Sequence, residues 1–275
     1  MIKIENLSYK YKFTDYILEN INLEINQGEI VVIVGRNGSG KSTLAKLISG
    51  ILIPKRGNVF IDDIDTKSKK TKLELRKKVG ILFQNPENQI IFPIVKDDLE
   101  FALKNLKLDN KESRIKRALE MTDMSDFYEK ETYGLSLGQK QRINIAGLLA
   151  VNNKYIVMDE PTTMIDTIGK EKIHNIILKL KEKGYTFIIV TNNPDEILLG
   201  DRIIILKEKN IKKIINKSEL LDNIELFNDC EIRLPDSIKI LLKLKEKGTN
   251  IQKIKDFSKD NLLNEIVEVM MDGRK

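Results

Sequence analysis

The apolar positions of this chain fall into three patterns, and each assigns a different kind of element. Ile2-Lys3-Ile4 and ILENINLEI (Ile17–Ile25) alternate apolar and polar residues with period two, as half-exposed antiparallel strands do. EIVVIVG (Glu29–Gly35) is continuously apolar and β-branched, the composition of a strand buried on both faces. YIVMD (Tyr155–Asp159), TFIIV (Thr186–Val190) and RIIIL (Arg202–Leu206) repeat that pattern, and NVFID and VGILF read as further strands. Leu44, Leu47, Ile48 and Ile51 recur at helical spacing, with Gly50 and Pro54 near the expected stop. From about Val95 to Ala150 no strand pattern is strong, and charged runs such as KESRIKRALEMT predict a mostly helical insertion. The helical stretch GKEKIHNIILKLKEKG separates two of the later strands, so strand and helix alternate. That order predicts a parallel sheet with covering helices. From about Ser218 the chain reads as helical and Lys-rich, without Gly-rich loops.

The turn after the Glu29–Gly35 strand carries the first chemistry. GRNGSGKST (Gly35–Thr43) fits G-x-x-x-x-G-K-[ST] in the context that gives the pattern its meaning, after a buried strand and opening a helix. Gly35, Gly38 and Gly40 let the backbone curl so that successive N–H groups face phosphate oxygens. The helix beginning near Lys41 adds its positive end. Lys41 can reach the β- and γ-phosphates, and the Ser42 hydroxyl can ligate Mg²⁺. The strand YIVMD ends in Asp159 followed by Glu160, which places both carboxylates at the carboxyl end of a buried strand, where open α/β sheets bind ligands. LSLGQKQR (Leu135–Arg142) precedes an apolar-faced helix, with Ser136 and Gln139 spaced as a capping box. A capped helix start is also an anion site.

Composition narrows the partners little. The chain has 275 residues, suiting a core plus an appended subdomain, and a net charge of +6 that mildly favours anionic partners. No apolar run approaches the ~20 residues needed to span a bilayer, and the alternating Met1–Asn6 does not resemble a signal peptide. The single Cys230 excludes an internal disulfide framework and suits a reducing cytosol. The Lys-rich Thr66–Lys78 stretch lacks interleaved aromatics for base stacking, so it reads as a solvated helix face and no nucleic-acid partner is expected.

The phosphate loop, LSLGQKQR, YIVMDEPT and TTMID, in this order, resemble the nucleotide-binding subunits of ABC transporters from about residue 2 to 215. The resemblance implies a P-loop NTPase of α/β class: a RecA-like parallel sheet core with an antiparallel β-subdomain and a helical insertion. Residues 1–215 would form the nucleotide-binding domain, with the helical subdomain at about 90–150, and 216–275 a small C-terminal helical extension. It also implies that two such subunits sandwich two ATP molecules head to tail, with Mg²⁺. In that arrangement Gly35, Arg36, Asn37, Gly38, Ser39, Gly40, Lys41, Ser42 and Thr43 would hold one ATP, and Tyr11 would stack on its adenine. Ser42, Gln84 and Asp159 would serve Mg²⁺, and Glu160, Gln84 and Asn192, the last at a switch position where histidine is expected, would be catalytic. Ser136, Gly138 and Gln139 would face the partner's ATP, and Asp166 would cross the dimer interface.

Within that family, FQNPENQIIFPIVKDDLEFALKN (Phe83–Asn105) and the C-terminal Asn223–Gly248 stretch resemble the ATPases of energy-coupling factor transporters. The implied partners are a second ATPase subunit, a different paralogue given the departures below or a second copy of this chain, a transmembrane coupling subunit and a separate substrate-binding membrane subunit. The implied place is the cytoplasmic side of the cell membrane, and the implied cargo a vitamin or a transition-metal ion.

Two positions depart from the family pattern. Asn192 stands where a histidine normally contacts the γ-phosphate, and Leu137 where glycine is preferred. Asparagine can donate a hydrogen bond but cannot shuttle a proton or become cationic. Losing one such transition-state contact costs ~2.7–4 kcal/mol. The expectation is an active ATPase, with a weakly hydrolysing subunit of a heterodimer as the alternative. His174, the one histidine, reads as a partly exposed helix residue rather than a substitute ligand.

Overall fold

The computed structural model describes residues 1–247 and 259–272; residues 248–258 and 273–275, all within the expected C-terminal extension, lie outside the described residues. In chain order the strands are β1 (Ile2–Tyr9), β2 (Leu18–Ile25), β3 (Ile30–Gly35), β4 (Arg56–Ile61), β5 (Ile64–Asp65), β6 (Val79–Leu82), β7 (Tyr155–Asp159), β8 (Thr186–Val190), β9 (Arg202–Lys207) and β10 (Asn210–Asn216). The helices are α1 (Lys41–Ile48), α2 (Lys72–Lys78), α3 (Val95–Asn105), α4 (Lys111–Met121), α5 (Leu137–Val151), α6 (Thr167–Glu182), α7 (Pro194–Ile197), α8 (Ile224–Asp229), α9 (Asp236–Glu246) and α10 (Lys259–Asp272).

The strands form two sheets. The period-two strands build an antiparallel sheet in the order β2-β1-β4-β5. The continuously apolar strands build the second, β10-β9-β3-β8-β7-β6, parallel except for β10 at its edge. Alternation along these buried strands divides their side chains between two cores. Val31, Ile33, Val157, Ile188, Val190 and Ile204 face the antiparallel sheet and α1. Val32, Val34, Ile156, Met158, Ile189 and Ile205 face the helical insertion, α5 and α6. Both faces of β3, β7 and β8 are covered, as their unbroken Val/Ile runs require.

One strand was not foreseen, and the C-terminal extension adds packing to the core. β10 carries no clean alternation, and its strand pattern was not read from the sequence. A register shift between Ile211 and Lys213 puts an extra residue in this edge strand, which scrambles the period. The C-terminal segment, read as an appendage, contributes Phe227, Leu234, Ile238 and Leu241 to the same core as the central sheet.

Parallel register brings the strand ends into line. Asp159 pairs with Val190, and Ile33 with Val190 on its other side. The turns leaving β3, β7 and β8 therefore meet at one edge of the sheet.

Candidate nucleotide site

β3 delivers Gly35 to that edge, and the chain then curls through Ser39, whose N–H donates to the Arg36 carbonyl at 3.1 Å. Gly40 has φ +99°, and a Cβ there would sit 2.8 Å from the Leu18 side chain, so both conformation and space demand glycine. Gly35 is required for a different reason from the one expected: a Cβ would lie 2.5 Å from the Leu206 carbonyl oxygen on the adjacent strand. The Lys41 ammonium is turned into the curl, donating to the Gly35 carbonyl at 2.7 Å and the Arg36 carbonyl at 3.1 Å. Burial pushes its pKa down, against the opposing pull of Glu160 and Asp159. The Ser39 hydroxyl is buried within the loop without a hydrogen-bond partner. Such an orphaned donor, beside a cradle of backbone amides, suits anionic oxygens.

The neighbouring turns supply oxygen donors and a carboxylate clamp. Ser42 Oγ donates to Asp159 Oδ1 at 2.8 Å. This hydroxyl–carboxylate pair is the hard-oxygen set that Mg²⁺ uses together with phosphates and water. Burial raises the Asp159 pKa, opposed by the Ser42 bond and by Lys46 and Lys41. Glu160 adopts φ +50°, a left-handed conformation that costs a residue of this type about 1–3 kcal/mol. Its own N–H, bonded to the Val190 carbonyl at 2.8 Å, holds it there. Each of its carboxylate oxygens has a donor: Asn192 Nδ2 reaches Oε1 at 2.6 Å and Gln84 Nε2 reaches Oε2 at 3.1 Å. The same Asn192 amide donates to Asn37 Oδ1 of the phosphate loop at 2.9 Å. The asparagine thus sits at the junction of loop and carboxylate. Nothing in this geometry favours the weakly hydrolysing alternative. Tyr11 is partly exposed beside the loop, with its hydroxyl 3.4 Å from Thr43 Oγ1 and its ring edge-on to Tyr9.

The residues of LSLGQKQR open α5. Ser136 caps α5 and Gln139 returns the bond, completing the capping box. Leu137 is half-buried in the first turn. Asp166 caps α6 by accepting the Gly169 N–H at 2.6 Å. The two helix starts abut, since a Cβ on Gly138 would lie only 3.6 Å from Gly169 Cα. Exposed Ser136, Met164, Asp166 and Ile168 thereby share one face.

Sequence reasoning missed the polar residues that tie these parts together. Gln141 is fully buried and donates to the Pro161 carbonyl at 2.8 Å, joining α5 to the turn after Glu160. Asn144 donates to the Pro86 carbonyl, and Lys140 pairs with Glu87, both in the turn after Gln84. The KQR of LSLGQKQR was the available signal, since an amphipathic helix would place those side chains in solvent. His174 is a largely covered helix residue, 12% exposed, with its Nε2 3.6 Å from Glu196. The C-terminal segment also reaches the site: Arg36 bonds Glu231 at 2.8 Å across a cavity of about 590 Å³ that Asn37, Asn192 and Arg233 help line.

The ABC transporter family model matches residues 18–163. Relatives along nearly the whole chain include the energy-coupling factor transporter ATP-binding protein EcfA1 of Clostridium novyi (strain NT), 36% identical over 91% of this chain and 92% of that protein. The protein of that name from Oenococcus oeni is 39% identical over 91% of each chain. Among solved structures, cbiO1 from Clostridium perfringens, part of the ABC transporter complex cbiONQ, superposes with a TM-score of 0.75 at 34% identity, covering 87% of this chain and 98% of that one. The dimeric ATP-binding cassette MJ0796 bound to ADP and Pi gives 0.70 at 33% identity, over 78% and 98%.

Proposed function

The chain belongs to the ATP-binding subunits of ABC transporters, of the energy-coupling factor type, and from that premise we infer how its own residues carry out ATP hydrolysis for solute uptake. The observation that carries the reading is the double clamp on Glu160, one oxygen held by Gln84 and the other by an Asn192 that also touches the phosphate loop. The backbone of Gly35–Thr43 cradles the phosphates and Lys41 offsets their charge. Ser42 and Asp159 would hold Mg²⁺, which when bound would supply positive charge against that developing on the phosphates. Glu160 faces the γ-phosphate and orients or deprotonates the attacking water. Gln84 and Asn192 keep its carboxylate aimed.

Residues 1–215 act as the nucleotide-binding unit and the remainder as an extension braced against it. The exposed face of Ser136, Met164, Asp166 and Ile168 is the surface offered to a second ATPase subunit, where Ser136 and Gly138 reach that subunit's nucleotide. A more apolar groove of about 310 Å³ runs between the Gln84 turn and the helical insertion, lined by Ile91, Phe101, Leu106 and Leu148. Ile91 is 68% exposed there. This groove suits an apolar segment of a transmembrane coupling subunit, and movement of Gln84 would pass to that subunit through it. None of the described helices is long and apolar enough to cross a membrane. Kinship with the energy-coupling factor ATPases supports a peripheral place on the cytoplasmic face, with a vitamin or transition-metal ion bound by a separate membrane subunit.

The test uses the complex purified from membranes through this chain. Lys41→Ala removes Mg²⁺-dependent ATP affinity, and Glu160→Gln keeps that affinity while lowering kcat at least about 10²-fold. Undiminished turnover with Glu160→Gln would overturn the assignment.

A further inference from the structure

Glu196 lies on α7, immediately after the turn that carries Asn192, and it is 1% exposed. Its Oε1 accepts a 2.6 Å hydrogen bond from the Thr162 hydroxyl and lies 3.6 Å from His174 Nε2 on α6. Its Oε2 is shielded from solvent without a hydrogen-bond partner, and so is His174 Nε2. Burying an oxygen without a hydrogen bond is unfavourable, and here it is offset only by the Thr162 bond and the neighbouring imidazole. The contacts run onward toward the hydrolytic residues. Thr162 Oγ1 also accepts from Asn193 Nδ2 at 3.3 Å, and the Asn193 N–H donates to Thr191 Oγ1 at 2.8 Å. Thr162 is two residues beyond Glu160, and Asn193 is one beyond Asn192.

We propose that Glu196 and Thr162 are positioning residues for ATP hydrolysis: the buried carboxylate takes the Thr162 O–H bond and so turns the hydroxyl's lone pair toward the Asn193 amide, and this fixes the Glu160 turn against the Asn192 turn. Neither side chain touches the reacting atoms. Thr162 is the shared node, donating to Glu196 on one side and accepting from Asn193 on the other. His174 walls the far side of the carboxylate. Slackening this node lets the Asn192 amide drift from the Glu160 carboxylate, and small displacements of such groups slow the chemical step much more than they weaken binding. The inference rests on the roles given above to Glu160 and Asn192.

The experiment measures kcat, KM for ATP, ATP affinity and thermal midpoint on the complex purified through this chain. Thr162→Val keeps the side-chain shape and deletes the hydroxyl. It should lower kcat about 10- to 100-fold and leave KM and ATP affinity within about twofold. Thr162→Ser, which keeps the hydroxyl, should retain at least about half of the wild-type kcat. Should Thr162→Val fail to fold, Asn193→Ser keeps a capping oxygen for α7 and removes the amide donor to Thr162 without adding charge, with the same kcat loss expected. A folded variant with wild-type kcat, or one whose kcat and ATP affinity fall together, overturns the proposal. So does a lower thermal midpoint with kcat untouched, which marks a merely structural role. Glu160→Gln in the same preparation separates the two levels. If it abolishes hydrolysis while Thr162→Val does not, only the positioning role falls; if it hydrolyses normally, the underlying assignment falls and takes this one with it.

Discussion

Glu160 is held in a backbone conformation that glycine would adopt more readily, and the surrounding hydrogen bonds are what keep it there. Asn192 contributes the shortest of its side-chain bonds. Removing that amide with Asn192→Ala leaves the carboxylate aimed by Gln84 and Thr163 alone. Single-turnover hydrolysis should slow by on the order of 10²-fold, with ATP affinity retained. An unchanged rate would show that the asparagine aims nothing. The residues of the phosphate loop and the Asp159-Glu160 pair could be found in the sequence because their spacing is imposed by local backbone geometry. Gln141, Thr162 and Glu196 could not, because a polar side chain becomes a buried strut only when residues remote in sequence arrive to accept its bonds. Asn192 could be noticed as a departure, but its contact with Asn37 requires β3 and β8 to lie side by side.

Elements defined by unbroken apolar runs or strict alternation were legible, and β10, whose period is interrupted by a shifted residue, was not. The helical insertion was legible as helix but not as a groove wall, since the groove needs α3 and α5 together. Asp98, in the first turn of α3, shows how such an element shapes the loop before it. Its carboxylate accepts the Ile91 and Phe92 N–H groups at 2.7 and 2.9 Å. Burial raises its pKa, in opposition to those bonds. The capping box of α5 gives an element-level prediction. Ser136→Ala leaves the Gln139 N–H without its side-chain acceptor and should lower unfolding free energy by about 1 kcal/mol, measured by denaturant titration of the isolated chain. No loss would mean the helix start is held by its packing instead.

Across the whole molecule, one sheet is shared by two cores, so the antiparallel sheet and the helical side are coupled through the same strands. The sequence showed which strands were buried on both faces but not that the C-terminal segment fills part of one core. A second tie crosses the antiparallel side. Asp62 follows β4 and meets Tyr155 at the start of β7, Lys78 at the end of α2 and the Met1 ammonium. Burial alone would raise its carboxyl, but the bonds from the Met1 ammonium, Tyr155 and Lys78 outweigh burial and hold the pKa at about 2. The folded value lies below the ordinary 3.8, so this tie stabilises the fold above about pH 4 and is lost as pH falls from about 4 to 2. Asp62→Asn should therefore flatten the loss of stability across that window, read by urea unfolding at pH 5 and pH 3. An identical pH slope in both proteins would remove Asp62 from the acid response.

The contact of Gly138 with Gly169 bears on how two such proteins meet. The Ile165 side chain is wedged against both helix starts, 3.3 Å from where a Cβ on Gly138 would sit and 2.5 Å from one on Gly169, so the start of α5 and Asp166 share one packed seam. A neighbour that displaces either must carry the other with it. In the pairing proposed above, closing over one nucleotide would then be felt at Asp166, and the two halves would keep time through that seam.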